Sequence, residues 1–243
     1  MDLGIDGRAA LVCGASRGLG RATAEALVAE GARVMLCARD DASLADVARA
    51  LTAQGGHVET VAADISEPSA PASVVAATAD AFGRVDIVVA NAGGPPPGRA
   101  LEVDDDALRA AFEANFLSAV RLIRAALPSM RANTWGRICC IASYSVVQPV
   151  PTLALSNAAR VGLWAWAKTA AQDLAAERSG ITLNLVCPGP HATDRMRELG
   201  GSGSGVMGDP ADFGQVVTFL CSEQAGFVNG AAVVVDGGAT LAL

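Results

Sequence analysis

Eight residues near the start of the chain, Cys13 to Gly20, read CGASRGLG. Gly14, Gly18 and Gly20 follow Gly-x-x-x-Gly-x-Gly spacing, with Ser16, Arg17 and Leu19 filling the turn. An apolar run precedes them and an amphipathic run follows. Glycines so placed permit a tight turn and a close backbone approach, and a helix start adds free N–H groups and positive potential. The chemistry they suit is binding a dinucleotide pyrophosphate. A glycine motif alone is a weak signal, and its setting between strand and helix is what strengthens it.

The next apolar run ends in CARD, so Arg39 stands where an acidic residue would accept from a bare ribose. Arg17 lies inside the turn. Two guanidiniums around the adenosine ribose suit a 2′-phosphate, which predicts NADP(H) over NAD(H), with Asp40 the residue that opposes this reading. Asp64, followed by Ile65, ends the third apolar run and is expected to accept from the adenine amino group. Asn91, Ala92 and Gly93 end the fourth, beside the expected ribose. In open parallel sheets ligands bind at the carboxyl ends of strands, where all of these fall.

A second group is suited to work on a carbonyl. Ser143 ends the fifth apolar run, and Ser156 and Arg160 stand four apart on one helix face. Tyr144, the chain's only tyrosine, follows Ser143 directly. His191 lies near the far end of the same opening, and its ordinary pKa suits acid–base work, though its place fits a loop residue equally. Lys168, the only lysine, is eight residues beyond Arg160, about 12 Å along a helix, so it is expected to face solvent or a subunit.

The elements that must position these residues alternate as strand and helix. Strands are predicted at 8–15, 32–38, 57–64, 85–93, 136–143, 181–189 and 231–238. Helices are predicted at 19–30, 40–54, 71–82, 104–130 with a break near Phe112, 155–177 and 210–221. This is the pattern of a single doubly wound α/β Rossmann domain spanning 1–243, a parallel sheet of about seven strands with helices on both faces. Residues 191–209 contain GGSGSG and are expected to form a flexible lid within that domain.

Taken together these motifs resemble the classical short-chain dehydrogenase/reductase family over essentially the whole chain, closest in form to 3-oxoacyl-acyl-carrier-protein reductases and glucose-dehydrogenase-like members. The resemblance implies further roles. Asn115 matches the helix asparagine that holds a relay water. Pro188 and Gly189 match the turn after the sixth strand, and Thr193 the hydroxyl that reaches the nicotinamide amide. Cys13 replaces the usual threonine at the motif's start, and VDGG at Val235–Gly238 fits the family's close. A homodimer or homotetramer is also implied, with Trp164 and Trp166 near its contact face.

The catalytic set departs from the family pattern. After Ser143 the family reads Tyr-x-x-x-Lys; here Ser156 and Arg160 hold those places, and Gly162 and Leu163 keep the register. Serine is far less acidic than phenol, and a guanidinium scarcely deprotonates, though Arg160 is still expected to donate to the ribose hydroxyls of the cofactor. Three accounts follow. One is an NADPH-dependent reductase of a ketone or 3-oxoacyl-type carbonyl (or the reverse oxidation), with a non-standard catalytic set. The second is an NADP(H)-binding protein with little turnover and a regulatory or partner role. The third is altered chemistry, such as dehydration, on the same fold.

Composition narrows the rest. The net charge is −7, with no cluster of basic residues, which argues against nucleic acid. No apolar run is long enough to span a membrane, and the first residues lack a signal-peptide layout, so a cytoplasmic protein acting on a small molecule is expected. The six cysteines sit mainly in apolar runs and read as reduced core residues, and with two histidines no metal site is expected. Arg195 and Arg197 are the only candidates in the lid for gripping an acyl carrier.

Overall fold

A computed structural model describes residues 1–200 and 207–241. Seven parallel strands form one sheet in the order β3-β2-β1-β4-β5-β6-β7. They are β1 (Ala9–Cys13), β2 (Arg33–Ala38), β3 (Val58–Ala62), β4 (Ile87–Ala90), β5 (Gly136–Ile141), β6 (Ile181–Pro188) and β7 (Ala232–Val235). The helices are α1 (Gly18–Ala29), α2 (Asp41–Ala53), α3 (Ala70–Phe82), α4 (Asp105–Phe112), α5 (Ser118–Ala132), α6 (Ala154–Ala176), α7 (Asp194–Glu198) and α8 (Pro210–Leu220). The sheet reverses its order of growth between β1 and β4, which places a ligand crevice at the carboxyl ends of those strands.

The central strands β1, β4 and β5 are buried throughout, because helices cover both faces. Two cores result. Residues of one parity, such as Leu11, Val88 and Ile138, pack with α3, α5 and α6. Those of the other, such as Val12, Val89 and Cys139, pack with α1, α2 and α8. The edge strands depart from the continuous-burial expectation: β3 exposes Glu59, Thr60 and Ala62, and β7 exposes Val234.

Strands end two or three residues earlier than predicted at β1, β3, β4, β5 and β7, and one earlier at β6, because the residues beyond leave the sheet for the turns at its carboxyl edge. The predicted helix 104–130 forms as α4 and α5 joined by a π-helical turn, Glu113–Leu117, so the break falls just after Phe112. The expected lid loop contains a short helix, α7, capped by the Thr193 hydroxyl, which accepts from the Met196 N–H. Its glycine-rich centre, 201–206, lies outside the described residues.

At the opposite end of the sheet a polar cluster ties the first strand down. Asp86 is fully buried; it accepts from the Ala9 N–H at 2.9 Å and from Arg84 Nε at 2.8 Å. Arg8 and Arg137 stack on Trp135, with guanidinium carbons 3.9 and 4.5 Å from a ring centre.

Candidate active site

The glycine turn has the geometry its sequence requires. Gly14 and Gly18 adopt φ of +62° and +58°, the left-handed region that favours glycine. Gly20 has no such φ, but a Cβ there would lie 2.2 Å from the Gly14 carbonyl oxygen. No side chain caps the start of α1. Its first N–H groups have no partners within the helix, as an anion site needs.

Asn91 has a role beyond the expected one beside a ribose. Its Nδ2 donates to the Cys13 carbonyl at 3.2 Å, and its side chain lies against Gly14 and Gly20. It therefore braces the turn. Cys13 sits beside Cys37 on β2, its register partner. A hydrogen bond with Cys37 and burial raise the Cys13 thiol well above the ordinary thiol value. All six cysteines are buried and unbridged.

Arg17 and Arg39 both extend into solvent. Arg39 lies 4.0 Å from Asp64. Asp40 is occupied elsewhere. It caps α2 by accepting from the Ser43 N–H, and the Ser43 hydroxyl together with that N–H holds its carboxyl below the ordinary carboxylate value. Asp64 is also partly engaged. Its Oδ1 accepts from the Ser66 hydroxyl and N–H, which lower its pKa, leaving Oδ2 toward Arg39. Ile65 and Ala92 line the crevice beyond, and Gly93 opens onto free space.

Arg160 turns inward. Its Nη1 donates to the carbonyls of Ile141 and Ala142 at 2.8 and 2.9 Å, and its Nε donates to the Ser156 hydroxyl at 3.1 Å. It thus ties α6 to the end of β5. This narrows the expectation that Arg160 would hold ribose hydroxyls, since only Nη2 makes no hydrogen bond among the described residues. Burial pushes this guanidinium down to about 10, and the Arg195 charge adds a smaller push in the same direction. It stays positive at neutral pH, yet no carboxylate pairs with it among the described residues.

The two serines share one condition. Ser156 is buried and accepts from Arg160; Ser143 accepts from the Ser145 N–H at 3.1 Å at the start of a 3-10 turn, Tyr144–Val146. Each keeps its own hydroxyl proton to donate. Tyr144 is half-buried, and its hydroxyl makes no hydrogen bond among the described residues.

Asn115 sits in the π-helical turn. Its Nδ2 reaches the Ala111 carbonyl at 3.4 Å, and its Oδ1 is buried without a protein partner. A small crevice runs past it, lined also by Asn91, Ser118 and Arg160. An unpaired buried acceptor costs roughly 1–3 kcal/mol, so this crevice favours an O–H or N–H donor. The π-turn was the signal that sequence reading lacked, because an apolar period is blind to one inserted residue.

His191 is not in the opening. It is buried, edge-on to Phe213 and packed against Gly208, and its Nδ1 lies 3.0 Å from the Gly189 carbonyl. It is a residue of the loop between β6 and α7, packed inward rather than open to the crevice. Pro188 ends β6, and Gly189 abuts Asp236, leaving no room for a side chain. Thr193 caps α7, and a Cβ at Gly18 would come within 3.5 Å of its methyl group. Lys168 faces outward as expected, donating to the Gly230 carbonyl in a shallow apolar cleft with Val161 and Trp164. Among the described residues no group of histidine, cysteine or acidic side chains is arranged to hold a metal, and no helix is long and apolar enough to cross a membrane.

The wall opposite α7 is the segment Gly93–Gly98. Gly98 is bonded to both Thr152 and Ala154, so the wall is fixed to the helix that carries Ser156. Arg195, on α7, donates to the Pro95 carbonyl at 2.6 Å and so bridges α7 to that wall.

Residues 14–240 match the family model described as enoyl-(acyl carrier protein) reductase. The 3-oxoacyl-[acyl-carrier-protein] reductase FabG of Salmonella typhimurium is 33 % identical over 247 residues, covering 97 % of this chain and 98 % of that protein. L-Sorbose reductase from Gluconobacter frateurii, crystallised with NADPH and L-sorbose, superposes with a TM-score of 0.92 at 32 % identity over the full length of both chains. A variant of actinorhodin polyketide ketoreductase with NADPH superposes at 0.88, with 30 % identity over 95 % of this chain and 96 % of that one. With sheet order, glycine turn and full-length matches in agreement, this chain belongs to the short-chain dehydrogenase/reductase family.

Proposed function

We infer that the chain is an NADP(H)-dependent oxidoreductase that reduces a ketone or 3-oxoacyl-type carbonyl to an alcohol, or runs the reverse. The cofactor fits the residues present. The uncapped α1 start and the Gly14–Gly20 cradle would take the pyrophosphate, and Arg17 and Arg39 the 2′-phosphate. Asp64 would take the adenine, Thr193 the nicotinamide amide, and Arg160 Nη2 with Asn91 the ribose beyond. NADPH supplies a hydride when bound.

The chain's own part is to orient and polarise. The observation that carries the reading is the Arg160–Ser156 contact. Because Ser156 Oγ accepts from a guanidinium, its O–H is both oriented and made a better donor. Ser156 and Ser143 would then give two hydrogen bonds to the carbonyl oxygen. Neither serine is acidic enough to give up its proton readily, so water held at Asn115 Oδ1 delivers it. Tyr144, with its uncommitted hydroxyl, is the competing donor.

The test is binding and turnover together. Purified protein should bind NADPH more tightly than NADH and oxidise NADPH with at least one member of a panel of ketones and 3-oxoacyl thioesters. Tight binding with no turnover would support a binding protein instead. Product without loss of NADPH would point to dehydration or isomerisation. Turnover lost in Tyr144→Phe but not in Asn115→Ala would move the proton source to Tyr144. A homo-oligomer joined through the outer face of α6 and the β7 side, where Val161, Phe219 and Val234 are exposed, is part of the same reading; sedimentation of a monomer at micromolar concentration would contradict it.

A further inference from the structure

The site holds more positive charge than its own residues balance. Arg160 is 7 % exposed, and among the described residues its hydrogen-bond partners are carbonyl and hydroxyl oxygens alone. A buried charge without a counter-ion is costly. Arg195 adds a second guanidinium at the mouth. It reaches from α7 to the Pro95 carbonyl and lies flat against Gly94, where any Cβ would come within 3.1 Å of its Nε and Nη2. The wall is cut back at the place where this guanidinium rests.

The groups facing Arg195 can be named. Its one carboxylate within salt-bridge distance, among the described residues, is Glu198 at 3.5 Å. That contact is longer than the roughly 2.7–2.9 Å of a charge-assisted hydrogen bond, and Glu198 is half exposed and shared with Arg17 at 3.9 Å. Asp194, the other acid on α7, pairs with Arg197. Arg195 is thus pinned through Nη2 on the wall, while Nη1 has only a loose partner.

The geometry points to Arg195 as a specificity residue for a carbonyl substrate that carries a carboxylate. The carbonyl would lie at Ser143 and Ser156, and the carboxylate would take Nη1 of Arg195 in place of Glu198. A neutral sugar offers no anion to this guanidinium. The inference rests on the reductase reading above and adds the class of substrate.

The test uses a pair of probes that share the 3-oxobutanoyl skeleton and differ at the carboxyl group, 3-oxobutanoate and its methyl ester. Each is titrated calorimetrically into protein saturated with NADP⁺, and each is also offered with NADPH. Wild type should bind the free acid about tenfold more tightly than the ester, the worth of one good charge-assisted bond. Arg195→Gln should bring the two within about twofold, with ester and NADP⁺ binding unchanged, and Arg195→Lys should restore part of the preference. Equal binding of acid and ester by wild type, no binding of the acid, or a preference that survives in Arg195→Gln would overturn it. Reduction of the ester without any acid preference sinks this inference alone. Acid preference with no NADPH oxidation sinks the reductase reading alone.

Discussion

Arg160→Met would keep the length and apolar stem of Arg160 and remove its donors. The carbonyls of Ile141 and Ala142 and the Ser156 hydroxyl would each lose a partner. A hydrogen bond from a charged group contributes about 1.5–3 kcal/mol net, so three amount to roughly 5–9 kcal/mol if nothing replaces them. Burial opposes this: lowering the guanidinium to about 10 corresponds to about 3 kcal/mol against the charged form. Water entering the crevice recovers part of the remainder, so a net loss of about 2–4 kcal/mol is expected. For a chain of this size that lowers Tm by about 5–15 °C, measurable by calorimetry or circular dichroism. The pH dependence carries a sign. A base whose folded pKa is depressed disfavours the folded state while charged, so wild type gains stability as pH rises through about 10 toward the unfolded value. The variant lacks that gain. A Tm within 2 °C of wild type, with no divergence above pH 10, would refute the claim that this arginine anchors α6 to β5.

Other outcomes follow from the same structure. Arg17→Ala and Arg39→Ala should each weaken NADPH binding about tenfold while changing NADH binding less than twofold, by fluorescence titration. Gly20→Ala should abolish cofactor binding, because its Cβ would meet the Gly14 carbonyl; binding retained would contradict the cradle geometry. Asp86→Ala, which leaves Arg84 and the Ala9 N–H without their buried partner, should cost about 3–5 kcal/mol in denaturant unfolding. Hydrogen bonds hold the carboxyls of Asp40, Asp64 and Asp236 below their ordinary value. The stability they contribute is present above the unfolded carboxylate pKa and is lost as pH falls through the lower folded values, so an acid titration of Tm should decline there, less steeply in Asp40→Asn.

The fold was legible because its signals are local and repeated: buried strands read as apolar runs, and glycines mark the turn whatever surrounds them. The site was legible only as a set of places. Ser143, Ser156 and Arg160 could be located by register, but the side chain of Arg160 was expected to point at a ribose, and it turns to β5 instead. That choice depends on two carbonyls nineteen and eighteen residues away in sequence, which no pattern along the chain reveals. His191 shows the same limit. Its neighbours Phe213 and Gly208 come from beyond the glycine-rich segment, and their packing makes a candidate acid into core.

Lys168 gives the chain an unusual chemical simplicity. It is the only side-chain amine, it is exposed at the Gly230 contact, and it lies on the outer face of α6, away from the crevice. An amine-acylating reagent therefore has one side-chain amine to modify, told apart from the terminal α-amine by peptide mapping, and should leave the site residues untouched. Covering that face by a second copy would slow the reaction, and dilution would restore it. The rate of that one modification, followed against protein concentration by mass spectrometry, would serve as a built-in gauge of self-association.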